Sequence, residues 1–136
     1  MVTDKDKLRK MVLRIVEERR MSSIMNDTKW EELRYAMMNE MPFEPPYTVK
    51  FLTDDAPCAE ETSWHEAYVY EGLFNAALAI EWIKIRPVKK KSRGALIPPE
   101  LEDAHDELEK ILDKYNIPYE EDNGVYCICG YRTLAG

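Results

Sequence analysis

Glycine and histidine are scarce in this chain, with five glycines and two histidines among 136 residues. A loop that cradles phosphate needs glycines at fixed spacing, because only glycine lets the backbone approach the ligand closely. No Gly-x-Gly-x-x-Gly, Walker loop, Gly-x-Ser-x-Gly elbow or His-Glu-x-x-His occurs. Any Ser-His-Asp or Cys-His scheme must draw on His65 or His105. Cysteine is also sparse, and its number is odd: Cys58, Cys127 and Cys129 cannot close a disulfide framework. Reduced thiols make the cytoplasm the expected compartment. No stretch reaches the roughly 18 apolar residues a spanning helix requires. The charged opening residues do not resemble a secretion signal. The expectation is therefore no membrane association, no bound metal and no cofactor.

Basic charge is the minority sign. The chain has 19 Lys and Arg against 26 Asp and Glu, a net charge of −7. Charge is unevenly spread: residues 1–25 carry +3, residues 26–83 carry −9, residues 84–93 carry +6 and residues 94–136 carry −7. Such a chain repels nucleic acid and anionic lipid except where a local basic patch overrides the net field.

Leu8, Met11, Val12, Ile15 and Val16 recur at i, i+3, i+4, i+7 and i+8, which predicts an amphipathic helix. Thr3 is its expected N-cap. Asn26-Asp27-Thr28 opens a second helix, with Thr28 to Glu31 fitting a capping box and Pro42 closing it. Tyr47 to Thr53 alternates as a half-buried strand, Trp64 to Tyr70 reads as another, and Ile80 to Arg86 as a third. Leu73 to Ala79 fits a helical turn or a strand entry. Lys89 to Gly94 reads as a charged loop. Pro98 to Tyr115 shows apolar residues at helical spacing after a Pro-Pro start. Ile117 to Glu121 and Val125 to Arg132 flank Asn123-Gly124, a type I′ hairpin signal.

These elements predict an α+β fold. A mainly antiparallel sheet of about five strands carries helices on one face. Residues 1–25 form an additional N-terminal amphipathic helix, and residues 26–136 form a single α+β domain.

Four groups of residues could carry chemistry. Asp54, Asp55, Glu60, Glu61 and His65 gather carboxylates and an imidazole beside Trp64. Paired carboxylates can serve acid–base chemistry or a hard cation, but the ordered spacing of a calcium loop is missing. An acidic loop next to a tryptophan also suits a basic protein partner. Lys84, Arg86, Lys89, Lys90, Lys91 and Arg93 could grip an anion; the default reading is a solvated strand end and loop. Trp82 is the one aromatic nearby, which weighs against nucleic acid. Cys127-Ile128-Cys129 places two sulfurs on one strand face, a spacing unusual for zinc, and buried thiol is the default. His105, between Asp103 and Asp106, reads as a boundary side chain. The Leu8–Val16 stripe packs on its own core by default, with a homodimer helix as the alternative.

Asn26-Asp27-Thr28-Lys29-Trp30, Ile80-Glu81-Trp82-Ile83-Lys84-Ile85, and Ile117-Pro118-Tyr119-Glu120 leading to Gly130-Tyr131-Arg132 together resemble a small bacterial family of uncharacterised domains. The resemblance covers residues 26 to 132, leaves Met1–Met25 as an added helix, and implies no activity, so it assigns no catalytic residue. In size, acidity and build the chain is also similar in general character to bacterial immunity proteins. The expected function is a non-enzymatic protein-binding module, of immunity type, that neutralises a basic toxin. The alternative is an anionic-ligand-binding domain or enzyme using Asp54–His65 and the Lys84–Arg93 cluster. Nucleic-acid binding through that cluster is the weaker alternative.

Overall fold

The computed structural model describes residues 4–53, 70, 74–91, 94–98 and 100–133. Helix α1 spans Asp4–Glu18, with Asp4 and Asp6 in its first turn, where carboxylates complement the helix dipole. It ends as Arg20 turns left-handed at φ 51° and donates its N–H to Glu17 O. The Thr3 cap lies outside the described residues. Strand β1 (Met21–Ser23) follows, then helix α2 (Asp27–Asn39). The cap of α2 is Asn26 rather than the expected Thr28 box: Asn26 Oδ1 accepts the Lys29 N–H at 2.8 Å.

Strand β2 (Tyr47–Phe51) leads towards a 3₁₀ helix at Phe74–Ala79 and strand β3 (Ile80–Ile85). The Leu73–Ala79 ambiguity thus resolves as helical turn over Phe74–Ala79, Leu73 lying outside the described residues. Of the expected strand Trp64–Tyr70, only Tyr70 is described, and it is helical. Its ring is buried, 4.7 Å from Tyr47, and its hydroxyl donates to Pro45 O at 2.7 Å. That bond gives an otherwise costly buried hydroxyl its partner.

Two further expectations are corrected together. Lys89–Gly94 is not a plain loop, and Pro98–Tyr115 is not one helix. Strand β4 (Val88–Lys91) pairs antiparallel with strand β5 (Glu100–Asp103). The register sets Lys89 opposite Glu102 and Lys91 opposite Glu100, and opposite charges stabilise such cross-strand positions. Helix α3 therefore begins only at His105 and runs to Lys114. Asp103 Oδ1 accepts the His105 backbone N–H at 2.9 Å and marks the start. Leu101, counted at helical spacing, is 61% exposed and contributes nothing to the core. Asn116 ends α3 in the left-handed region at φ 55°, with Ile117 N–H returning to Leu112 O at 2.8 Å in a Schellman arrangement. Lys29 Nζ, from the first turn of α2, donates to the carbonyls of Tyr115 and Asn116 and ties the two helix ends together.

Strands β6 (Glu120–Asp122) and β7 (Val125–Cys129) form the expected hairpin, with Asn123 and Gly124 both at positive φ. Strand β8 (Tyr131–Thr133) pairs with β1. The main sheet has four antiparallel strands in the order β2-β3-β7-β6, flanked by the separate ribbons β1-β8 and β4-β5. One face of this sheet presents Ile83, Ile85, Tyr126 and Ile128 to Leu33, Ala36 and Met37 of α2 and to Leu108, Ile111 and Leu112 of α3. Burial of each such aliphatic side chain stabilises by about 1.5–3 kcal/mol.

A second apolar cluster holds Val12 and Met21 against Leu52 and Ala79, with Leu8, Ile15 and Val16 packed beside them. Apart from Met11, which is 51% exposed, the α1 stripe thus packs on its own chain. Glu81 adds a polar clamp: Lys50 Nζ reaches its Oε1 at 2.6 Å and Arg19 Nη1 at 3.1 Å.

Candidate functional site

Asp54, Asp55, Cys58, Glu60, Glu61, Trp64 and His65 lie outside the described residues, as does Arg93. The rest of the basic cluster is divided between two surfaces. Lys84 is half-buried on the outer face of β3, with Nζ 4.7 Å from the Trp82 ring centroid. Arg86 lies exposed just beyond β3, before the buried Pro87. Lys89 and Lys90 are exposed on β4, which Lys91 ends, and carboxylates of β5 face that strand. The local sequence dictates the division, because Arg86-Pro87 ends one strand and starts a ribbon in another sheet.

His105 is exposed at the start of α3. Asp103 Oδ1 stands 2.7 Å from its Nδ1 and Asp106 Oδ1 stands 3.2 Å from its Nε2. Hydrogen bonding to Asp103 comes first in raising its pKa above the ordinary imidazole range. It stands out from the apolar stripe and not at its boundary.

The surface that sequence reading missed lies where α3 meets the β6-β7 hairpin. Tyr126 is buried in the hairpin and donates its hydroxyl to Glu109 Oε1 at 3.0 Å. The Tyr119 ring packs 5.5 Å from the Tyr126 ring. Burial, and then the charges of Asp113, Glu109 and Glu121, push the Tyr119 hydroxyl above its usual pKa. Three carboxylates from two elements therefore lie near enough to one half-buried tyrosine to act on its hydroxyl. Glu109 and Asp113 are four residues apart, so they share a helix face. Glu121 joins them only through tertiary packing, which is why no spacing in the sequence revealed the group.

A groove of about 390 Å³ separates α1, α2 and the 3₁₀ helix. Lys5 and Arg9 line one side, Asp27 and Glu31 the other, and Trp30 and Tyr131 also contribute. Its described lining includes none of the basic residues of 84–93.

Cys127 and Cys129 are half-buried and free, on the outer face of β7. Among the described residues, no group of three or more His, Cys, Asp or Glu side chains is placed to hold a metal ion. Among them too, no helix is long and apolar enough to cross a membrane.

No curated protein and no solved structure matches the chain. A family model does match, from residue 12 to residue 134, and so takes in the second half of α1 and the β1-β8 ribbon. Over nearly its whole length, then, this chain belongs to a family of unknown function, DUF6678.

Proposed function

We propose that the protein is a non-enzymatic protein-binding module whose partner is basic. The observation that carries this reading is the Tyr119–Tyr126 aromatic pair at the meeting of α3 and the hairpin, with Glu109 bonded to Tyr126 and the charges of Asp113, Glu109 and Glu121 acting on Tyr119. Aromatic side chains anchor interfaces with large, stiff contact area, and surrounding charge steers and orients the partner. The net charge of −7 acts in the same direction at longer range. The finer reading is an immunity-type role, in which the chain masks a basic toxin. Free Cys127 and Cys129 suit a reducing, cytoplasmic setting for it.

The test is a pull-down with tagged chain from cells of its source, run beside a Glu109→Gln/Asp113→Asn/Glu121→Gln variant. A partner retained by the native chain, lost with the variant and eluted by moderate salt supports the proposal. Absence of any retained protein, or retention indifferent to the three substitutions, defeats it.

A second reading rests on the groove between α1 and α2. Its volume falls within the roughly 300–1,000 Å³ of small-molecule sites. Lys5 and Arg9 would meet an anionic ligand there. Protection of the groove on adding small anions, read by hydrogen exchange, would favour this alternative. Nucleic-acid binding through Lys84–Arg93 is weaker, because Glu100 and Glu102 stand opposite the lysine strand.

A further inference from the structure

The groove between α1, α2 and the 3₁₀ helix has walls of opposite charge. Lys5 and Arg9 of α1 line it four residues apart, and so do Asp27 and Glu31 of α2. Residues at that spacing share a helix face, and like charges there destabilise the helix. Each helix thus turns an unfavourable pair towards the same space, and the two pairs differ in sign. Lys5 is also misplaced for its own helix. It stands in the first turn of α1, where the dipole favours anions.

Among the described residues, no hydrogen bond or ion pair engages the side chains of Lys5, Arg9 or Asp27. Glu31 differs, since Arg34 already holds its carboxylate. Asp27 is therefore the carboxylate left to meet a cation. The floor between the walls is apolar and fixed. Trp30 is buried, and Tyr131 donates its hydroxyl to Leu78 O at 2.6 Å, which holds its ring in place. Leu13 stands largely exposed at the rim. Water can hydrate such charges, yet a cationic wall and an acidic wall about one groove are complementary to a ligand that carries both signs.

We propose that this groove binds a small zwitterion with its charges at opposite ends of an apolar body, the chemistry of a short free peptide. The C-terminal carboxylate meets Lys5 and Arg9, the N-terminal ammonium meets Asp27, and apolar side chains cover Trp30 and Leu13. Both ends make charge-assisted hydrogen bonds, the stronger class. The charged walls stand on separate helices with apolar floor between them, so the ligand's charges belong at its two ends. The volume of about 390 Å³ lies near the lower limit of small-molecule sites, which keeps the peptide short. The proposal rests on the second reading above, that the groove takes an anionic ligand, and adds the cation that the acidic wall calls for.

The experiment titrates the isotope-labelled full chain, at neutral pH and low salt, with the dipeptide alanyl-leucine and follows backbone amide chemical shifts. Saturable shifts are expected in α1, the start of α2 and the 3₁₀ helix, at millimolar peptide. N-acetyl-alanyl-leucine lacks the cation, and alanyl-leucinamide lacks the anion. Each should bind about tenfold more weakly, the loss of one charged hydrogen bond. With Asp27→Asn the free and acetylated dipeptides should bind alike. With Lys5→Gln/Arg9→Gln the free dipeptide and its amide should bind alike. Both variants alter exposed side chains, and unchanged shifts elsewhere report that they fold.

Equal binding of the free and acetylated dipeptides to the native chain would overturn the zwitterion and leave an anion groove standing. Equal binding of the free dipeptide and its amide would overturn it too, as would an advantage of the free dipeptide that persists in either variant. Shifts that map outside the groove with all three ligands, or no shifts with any, would overturn both readings of the groove.

Discussion

Gly130 sits directly against the backbone of Ile80: a Cβ at Gly130 would fall 2.2 Å from the Ile80 carbonyl oxygen and 3.1 Å from Cζ2 of Trp30. The close approach is held by two backbone hydrogen bonds, Gly130 N–H to Glu81 O at 2.8 Å and Ile24 N–H to Gly130 O at 2.8 Å. At this one residue β3, the chain after β1, and the first turn of α2 all meet.

Gly130→Ala should therefore destabilise by about 3 kcal/mol, at the upper end of overpacking costs, because rigid backbone cannot yield as a flexible side chain would. Urea denaturation followed by tryptophan fluorescence measures it. An unchanged midpoint would show that the strands separate freely at this point.

Glu81 carries a pH dependence. Burial alone would raise its pKa, but the hydrogen bonds from Lys50 and Arg19 outweigh burial and hold the carboxyl below its usual range. The stabilisation is complete above the unfolded value of about 4.3 and is lost as pH falls through the depressed folded value. Glu81→Gln should flatten the acid limb of the stability profile. At pH 7 it should cost about 1–2 kcal/mol, a charged hydrogen bond discounted for partial exposure. Thermal melts from pH 3 to 7 decide the matter.

Thr48 is 4% exposed, and its Oγ1 finds no hydrogen-bond partner among the described residues. Thr48→Val replaces the hydroxyl by a methyl of nearly equal size. It should stabilise by about 1 kcal/mol, since a buried unpaired hydroxyl costs that order. A loss of stability in the melt would mean that the hydroxyl is engaged in solution.

Asn26→Ala removes the side-chain cap of α2 and should cost about 1 kcal/mol, whereas Asn26→Asp should retain most of the stability. Urea melts followed by circular dichroism test the pair. Equal effects of the two substitutions would argue against capping.

Elements whose signal is local were legible in the sequence. The stripe from Leu8 to Val16 predicted α1, Asn123-Gly124 predicted the turn between β6 and β7, and alternation predicted β2 and β3. Placement of α2 was right, and its cap was left between Asn26 and Thr28, because both offer an oxygen and only backbone conformation selects between them. The Pro98–Tyr115 expectation failed for a different reason. Glu100 to Asp103 has good helix formers, but pairing with the lysine strand β4 overrides propensity. The candidate surface was hidden for a related reason, since Glu121 stands on a strand and Glu109 and Asp113 on a helix, and no single periodicity spans the two.

Composition and short-range pattern, by themselves, determined the α+β class, the helical and strand character of most segments, and the absence of phosphate-loop and triad motifs. Those properties depend on neighbours a few residues apart. Only the tertiary structure decided that the basic run divides between two sheets and that Gly130 must lack a side chain. Each of these depends on which distant segments pack together, and that is set by the burial of one sheet face against two helices.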